Sequence, residues 1–321
     1  MVAETLAGAP ARDWLAWSTR HRVALAAAFL LVFPLLLPFK AIAVNILVYG
    51  LFAVGFNMLY GYLGLLSFGH AALFGGGAYA CGIALVRFGL PWWAGIGVGV
   101  LAGSAVAAVI GGLAIRTRGI YFAMVTLALA QCFYYLAYQA TDWTGGENGL
   151  RGVRFGELGF GFDAVDPLTR YYVVCAFVIA ALYALSRILA SPFGAVMEAV
   201  RENEARARAC GYDVQATRWV AFVLSGAFCG LAGALQSLHL GIVPIETLHY
   251  STSGLVLMMA LLGGMGTFFG PFIGAGVFLL LENLVSLWTV HWQWVVGAVF
   301  VACVLFFPRG ILGTLLQALR R

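Results

Sequence analysis

Apolar residues fill this chain in blocks of about twenty, separated by short stretches of glycine, proline or charge. A helix of about twenty residues crosses a hydrocarbon layer of roughly 30 Å, so each block predicts one span. In order the blocks fall near residues 22–39, 41–59, 70–87, 92–115, 120–138, 171–190, 217–240, 252–264, 271–290 and 293–307. The eighth is the least continuous, because Gly263, Gly264 and Gly266 interrupt it. Ten such helices predict an all-α polytopic membrane protein. Division into five plus five requires any internal repeat to be inverted in the membrane. No small-residue cleavage pattern follows the first block before the second begins, which predicts a retained span in place of a signal peptide.

Composition agrees with that pattern and charge orients it. Hydrophobic residues make up 63% of the chain and charged residues 10%, and the mean hydropathy of +0.95 exceeds that of soluble domains. Basic residues in such a chain record topology. With the N-terminus inside, all but Lys40, Arg87, Arg151, Arg154 and Arg170 of the 18 basic residues fall at cytoplasmic ends, which also places the C-terminus inside. The net charge of +5 therefore does not point to nucleic acid. The expected organisation is a cytoplasmic segment 1–21, a transmembrane domain 22–308 and a cytoplasmic tail 309–321. Within the domain lie an extracytoplasmic loop 139–170 and a cytoplasmic loop 191–216. The first loop carries Asp142, Glu147, Glu157, Asp163 and Asp166, and is either merely solvated or a landing surface for an extracytoplasmic partner.

The most informative interruption is residues 191–211, SPFGAVMEAVRENEARARACG, where Glu198, Arg201, Glu202, Glu204, Arg206 and Arg208 sit between two long apolar blocks. It cannot lie in lipid, and it carries helix punctuation: Ser191 as N-cap, Pro192 at the first helical position, Gly211 just past the end. An amphipathic helix tethered between spans predicts a docking element for another protein.

Glycine clusters elsewhere. Gly95-x-x-x-Gly99 and Gly226-x-x-x-Gly230 have the spacing that brings helices close in lipid. Between Tyr60 and His70, three glycines and Ser67, a candidate cap for the third span, interrupt apolar sequence. That stretch is either a tight turn or a break at membrane depth, the kind found where a path is lined. Glu282 is the one acid well inside a predicted span. It would be the carrier if transport were proton-coupled, but beside Asn283 it reads better as a hydrogen-bonded packing group or one near an aqueous end.

Several chemistries lack their residues. Lys40 is the sole lysine and follows Pro38 and Phe39, so no phosphate-binding G-x-x-x-x-G-K-[ST] loop exists. The chain has no H-E-x-x-H, no G-x-S-x-G and no C-x-x-C. A membrane-embedded enzyme is unsupported, serial ionisable residues of the proton-driven kind are missing, and a pore subunit energised from elsewhere remains.

Seven ordered blocks then carry a resemblance. They are GYLGLLSFGHAALFGGGAYA at 61–80, YFAMVTLALAQ at 121–131, TGGENGL at 144–150, the 191–211 segment, AFVLSGAFCGLAGAL at 221–235, VLMMALLGGMGTFFGPFIGA at 256–275 and FFPRGILG at 306–313. With these the chain resembles the M-type permease subunits of ABC importers for branched-chain and related amino acids. The resemblance implies a non-catalytic subunit of the bacterial inner membrane that pairs with a second, homologous permease. It also implies two cytoplasmic ATPase subunits, which hold the ATP and Mg while this chain holds no cofactor, and a periplasmic substrate-binding protein. In that setting residues 191–211 become a coupling helix, with Glu198, Arg201, Glu202, Glu204 and Arg206 as contacts and Gly211 as the turn back to the membrane. Asn57, Phe68, His70, Gln131, Gly145, Gly146 and Asn148 are candidates for the path or its outer gate. The same importer class with urea or amide, aromatic acid or sugar cargo is one alternative. A stand-alone secondary carrier or channel is the other.

Overall fold

The structure is a computed structural model and describes residues 27–31, 33–34, 40–155, 166–289, 291–306 and 310–314. Most of the first predicted span, the 1–21 segment and the end of the C-terminal tail lie outside the described residues. The remaining nine blocks each coincide with one helix: α1 (Lys40–Leu63), α2 (His70–Val86), α3 (Trp92–Ala114), α4 (Ile120–Gln139), α6 (Pro167–Leu189), α9 (Val214–Leu240), α10 (Tyr250–Gly263), α11 (Gly270–Ser286) and α12 (Trp292–Phe306). A one-turn α5 (Thr141–Thr144) follows α4, and α7 (Pro192–Glu202) and α8 (Glu204–Ala209) occupy the charged segment.

Five of these helices, α1, α3, α4, α6 and α9, are long and apolar enough to cross a membrane. The other four have 14 to 17 residues; α10, with 14, has about 21 Å of rise. Glycine ends them. Gly64 and Gly264 adopt positive φ (77° and 114°), which no continuing helix accommodates, and leave non-helical stretches at 64–69 and 264–269.

The core lies around α1 and α9, which are buried on nearly every side, while α3, α4 and α6 bury one side and leave the other apolar and exposed. Helices that are apolar all round gain nothing from hydrophobic segregation in lipid, so close packing must hold them. The glycines supply it. A Cβ on Gly230 of α9 would stand 2.6 Å from the Gly99 carbonyl oxygen and 2.9 Å from Gly103 Cα, both on α3. One on Gly77 of α2 would stand 2.5 Å from Gly230 Cα. Both predicted spacings are therefore helix contacts, with Gly95 packed on Leu85 and Gly226 on the Gly103 backbone.

One element has no signal in the apolar pattern. Strands β1 (Leu150–Arg151) and β2 (Ile242–Val243) pair antiparallel, Leu150 opposite Val243, and fasten the loop after α4 to the end of α9.

Candidate functional site

The charged segment is two helices meeting at a corner. Asn203 is extended (φ −156°, ψ 100°), and its side-chain oxygen accepts from the Arg206 backbone N–H at 2.9 Å, so it ends α7 and caps α8. Pro192 opens α7 and Ser191 stands at its N-cap position as expected, but without a side-chain cap: its hydroxyl donates backwards to the Ile188 carbonyl at 2.6 Å. Gly211 ends α8 as expected. With φ at 87°, its N–H donates to the Arg208 carbonyl at 2.9 Å and that of Tyr212 to the Ala207 carbonyl at 3.2 Å, the paired bonds of a Schellman stop. Asp213 then caps α9, accepting from Gln215 N and Ala216 N.

The segment has two faces. Gly194, Met197, Val200 and Ala207 are buried against the helix bundle, whereas Glu198, Glu202 and Arg206 are exposed. Two of the proposed contacts bond inside the chain. The Glu204 carboxylate pairs with Arg208 at 2.7 Å, Arg218 at 2.9 Å and Arg118 at 3.1 Å, joining α8 to the start of α9 and to the connection between α3 and α4. Arg201 donates to the Gly61 carbonyl at the end of α1.

Burial pushes the Glu204 carboxyl up, but the hydrogen bond from Arg218 and the charges of Arg218, Arg118 and Arg208 outweigh it and hold its pKa below the ordinary carboxylate value. A depressed folded pKa contributes stability above the unfolded value, lost as pH falls through the folded one. Glu204→Gln is therefore expected to lower stability at neutral pH by about 1 kcal/mol, the group being partly exposed. Melting curves of the two proteins should converge as pH drops below about 4.

The path candidates fall into two sets. Around the 64–69 break, Asn57 and His70 are interior groups with partners. The Asn57 amide donates to the Thr267 carbonyl at 3.0 Å and its oxygen accepts from Gly266 N at 3.0 Å. His70 is fully buried, with Nε2 3.1 Å from Ser225 Oγ, Nδ1 3.3 Å from the Ser67 carbonyl and its ring edge-on to Phe56. Ser225 Oγ in turn donates to the Gly55 carbonyl at 2.7 Å, so His70 ties the start of α2 to both α1 and α9.

Half-buried Phe68 is pinned through its backbone, its N–H to Thr126 Oγ1 at 3.2 Å and its carbonyl to Ser253 Oγ at 2.8 Å. Ser67 is no helix cap; it accepts from Gly69 N inside the break. The stretch is six residues of non-helical backbone between α1 and α2, held by these partners. Ser253, which also accepts from Ala71 N at 2.8 Å, is the residue the sequence reading missed; the polar run Ser251-Thr252-Ser253 opening an apolar block was its signal.

The second set is the TGGENGL turn. Gly145 and Gly146 have φ of 78° and 58°, a Cβ on Gly145 would collide with the Gly149 carbonyl, and Thr144 Oγ1 donates to the Ala137 carbonyl at 2.6 Å. Asn148 is exposed and Gln131 half-buried on α4. No hydrogen bond joins the two sets among the described residues.

The family model described as the branched-chain amino acid transport system permease component matches residues 39–307, from the first residues of α1 to the end of α12. The chain belongs to this permease family. As a member it is a multi-pass membrane protein and the transport component, not the catalyst, of an ABC system with further subunits. The permease is 28% identical over 293 residues, 84% of this chain and 69% of the relative, to the high-affinity branched-chain amino acid transport system permease protein LivM of Escherichia coli. A shorter stretch of 142 residues is 33% identical to the autoinducer 2 import system permease protein LsrC of Klebsiella pneumoniae, covering 41% of this chain and 39% of that one. The probable branched-chain amino acid transport permease protein LivH of Methanocaldococcus jannaschii is 27% identical over 175 residues, half of the permease and 52% of the relative. No solved structure matches the permease.

Proposed function

We propose that this permease forms half of the translocation path of a binding-protein-dependent importer for branched-chain or related amino acids, and that residues 191–211 dock on a cytoplasmic ATPase. One observation carries the reading: the segment turns an exposed charged face (Glu198, Glu202, Arg206) outward while its other face is bonded to the bundle. A merely solvated loop needs no such internal anchoring.

In this reading a second, homologous permease completes the path, two ATPase subunits hydrolyse Mg-bound ATP beneath it, and a periplasmic binding protein delivers cargo to the 139–170 side. On that side Phe88 and Trp143 are exposed beside Arg87, which donates to the Asp142 carbonyl and holds the two connections together. Both termini lie in the cytoplasm of a bacterial inner membrane, and the ten spans form an inverted repeat. The likeness to LivM over most of the chain favours amino acids as cargo. The partial likeness to LsrC makes autoinducer 2 the second reading.

The permease is purified with the subunits encoded beside it and reconstituted in liposomes. ATP-dependent accumulation of radiolabelled leucine that requires the binding protein is the expected result. Uptake by the permease alone, without ATP, would establish the carrier reading in its place.

A further inference from the structure

Arg201 lies on the charged segment and is exposed, yet its side chain reaches the end of α1. Its stem lies along Gly64, where a Cβ would stand 3.2 Å from Arg201 Cγ, and its guanidinium donates to the Gly61 carbonyl. That acceptor is one of the last four carbonyls of α1, which a helix leaves without an intrahelical partner. The other bonds of the α1 terminus bypass it: Gly64 N donates to the Tyr60 carbonyl and Leu65 N to the Leu59 carbonyl. A guanidinium suits the place, because a cation at a helix C-terminus meets the negative end of the macrodipole.

The same guanidinium lies beside the other break. A Cβ on Gly266, whose φ is 75°, would stand 3.1 Å from Arg201 Nη1 and 3.3 Å from the Gly61 oxygen. One helical turn before Gly61, Asn57 clasps the 264–269 stretch from inside through its bonds with Gly266 and Thr267. Residues 64–69 lead into α2 and residues 264–269 into α11. Arg201 therefore stands where both breaks and the charged segment meet, whereas Glu204 ties the segment to α9 and to the α3–α4 connection.

We infer that Arg201 is the positioning residue through which displacement of residues 191–211 reaches the 64–69 and 264–269 breaks, and that Glu204 anchors the segment without addressing either break. The inference rests on the ATPase-docking reading above. It assigns Arg201 to transmission, leaving Glu198, Glu202 and Arg206 for docking.

The test uses the full complex in liposomes with three readouts: ATPase-subunit binding, ATP hydrolysis and leucine uptake. Arg201→Gln should leave binding and hydrolysis intact while uptake per ATP falls by about tenfold, the size of a typical coupling between sites. Arg201→Lys, whose ammonium still donates to a helix-terminal carbonyl, should recover most of the ratio. An unchanged ratio in Arg201→Gln, or uptake lost only together with ATPase binding, overturns the inference. Independently of any variant, amide hydrogen exchange on the wild-type complex should change at both breaks when ATP binds, and no change at either overturns it. A wild-type complex that imports nothing with ATP overturns the importer reading itself, a result recognisable before any variant is made.

Discussion

Gly230→Leu will abolish the cooperative melting transition of the detergent-solubilised protein. At this crossing α9 meets α3 backbone to backbone, and the first added carbon would lie 2.6 Å from the Gly99 oxygen, with the Gly77 stretch of α2 on another side. Overpacking a core with movable side chains costs about 1–3 kcal/mol. Here the neighbours are backbone, so the helices themselves must separate and the close contacts that hold them in lipid are lost along their length. Total stabilities are only about 5–15 kcal/mol, so a loss of several kcal/mol removes most of the folded population. The control is Gly97→Leu on α3, where an added Cβ meets nothing within 4 Å; it should melt with the wild type. Near-equal melting temperatures for Gly230→Leu and Gly97→Leu would show that the glycine crossing does not hold the bundle.

The pair Glu198→Lys and Glu202→Lys will release the ATPase subunits without unfolding the permease. Both carboxylates are exposed on α7, and neither belongs to the ion pairs that hold the segment. Reversing two contacts at a charged interface replaces attraction by repulsion, and the expected loss is a tenfold or greater rise in Kd, about 1.4 kcal/mol or more. Glu204→Lys is a different experiment. It sets a fourth positive charge among Arg118, Arg208 and Arg218, and should lower the melting temperature before it says anything about docking. Titration of purified ATPase subunits onto the double variant, beside its melting curve, separates the cases. Wild-type affinity in the double variant would remove the outward face from the docking surface.

Much of the chain was legible before folding, for identifiable reasons. Among the described residues nine helices stand where apolar blocks stand, because a helix satisfies every backbone group of a twenty-residue apolar run within the run itself. The Gly-x-x-x-Gly spacings named real contacts, since a four-residue interval keeps small residues on one helix face. Helix ends were less legible. Asn203 interrupts what reads as one amphipathic helix, and whether an asparagine side chain turns to its own backbone depends on local competition that periodicity does not record.

The candidate sites divide along the same line. Residue type alone made Asn57 and His70 candidates for a path; the structure adds that both are buried and bonded, to Gly266 and Thr267 and to Ser67 and Ser225. Charge alone made Arg201 and Glu204 equivalent to Glu198 and Glu202; distance along the folded chain separated them. Sequence by itself determined the material and the class: an all-helical membrane permease, without a phosphate loop, bearing one strongly charged segment. Those properties depend on composition and short-range spacing, which every folded arrangement inherits. Only the tertiary structure decided which charges of residues 191–211 face outward and which grip the bundle. Arg201 bonds to Gly61 and Glu204 also pairs with Arg118, both far away in sequence, and three-dimensional packing alone brings these within bonding distance.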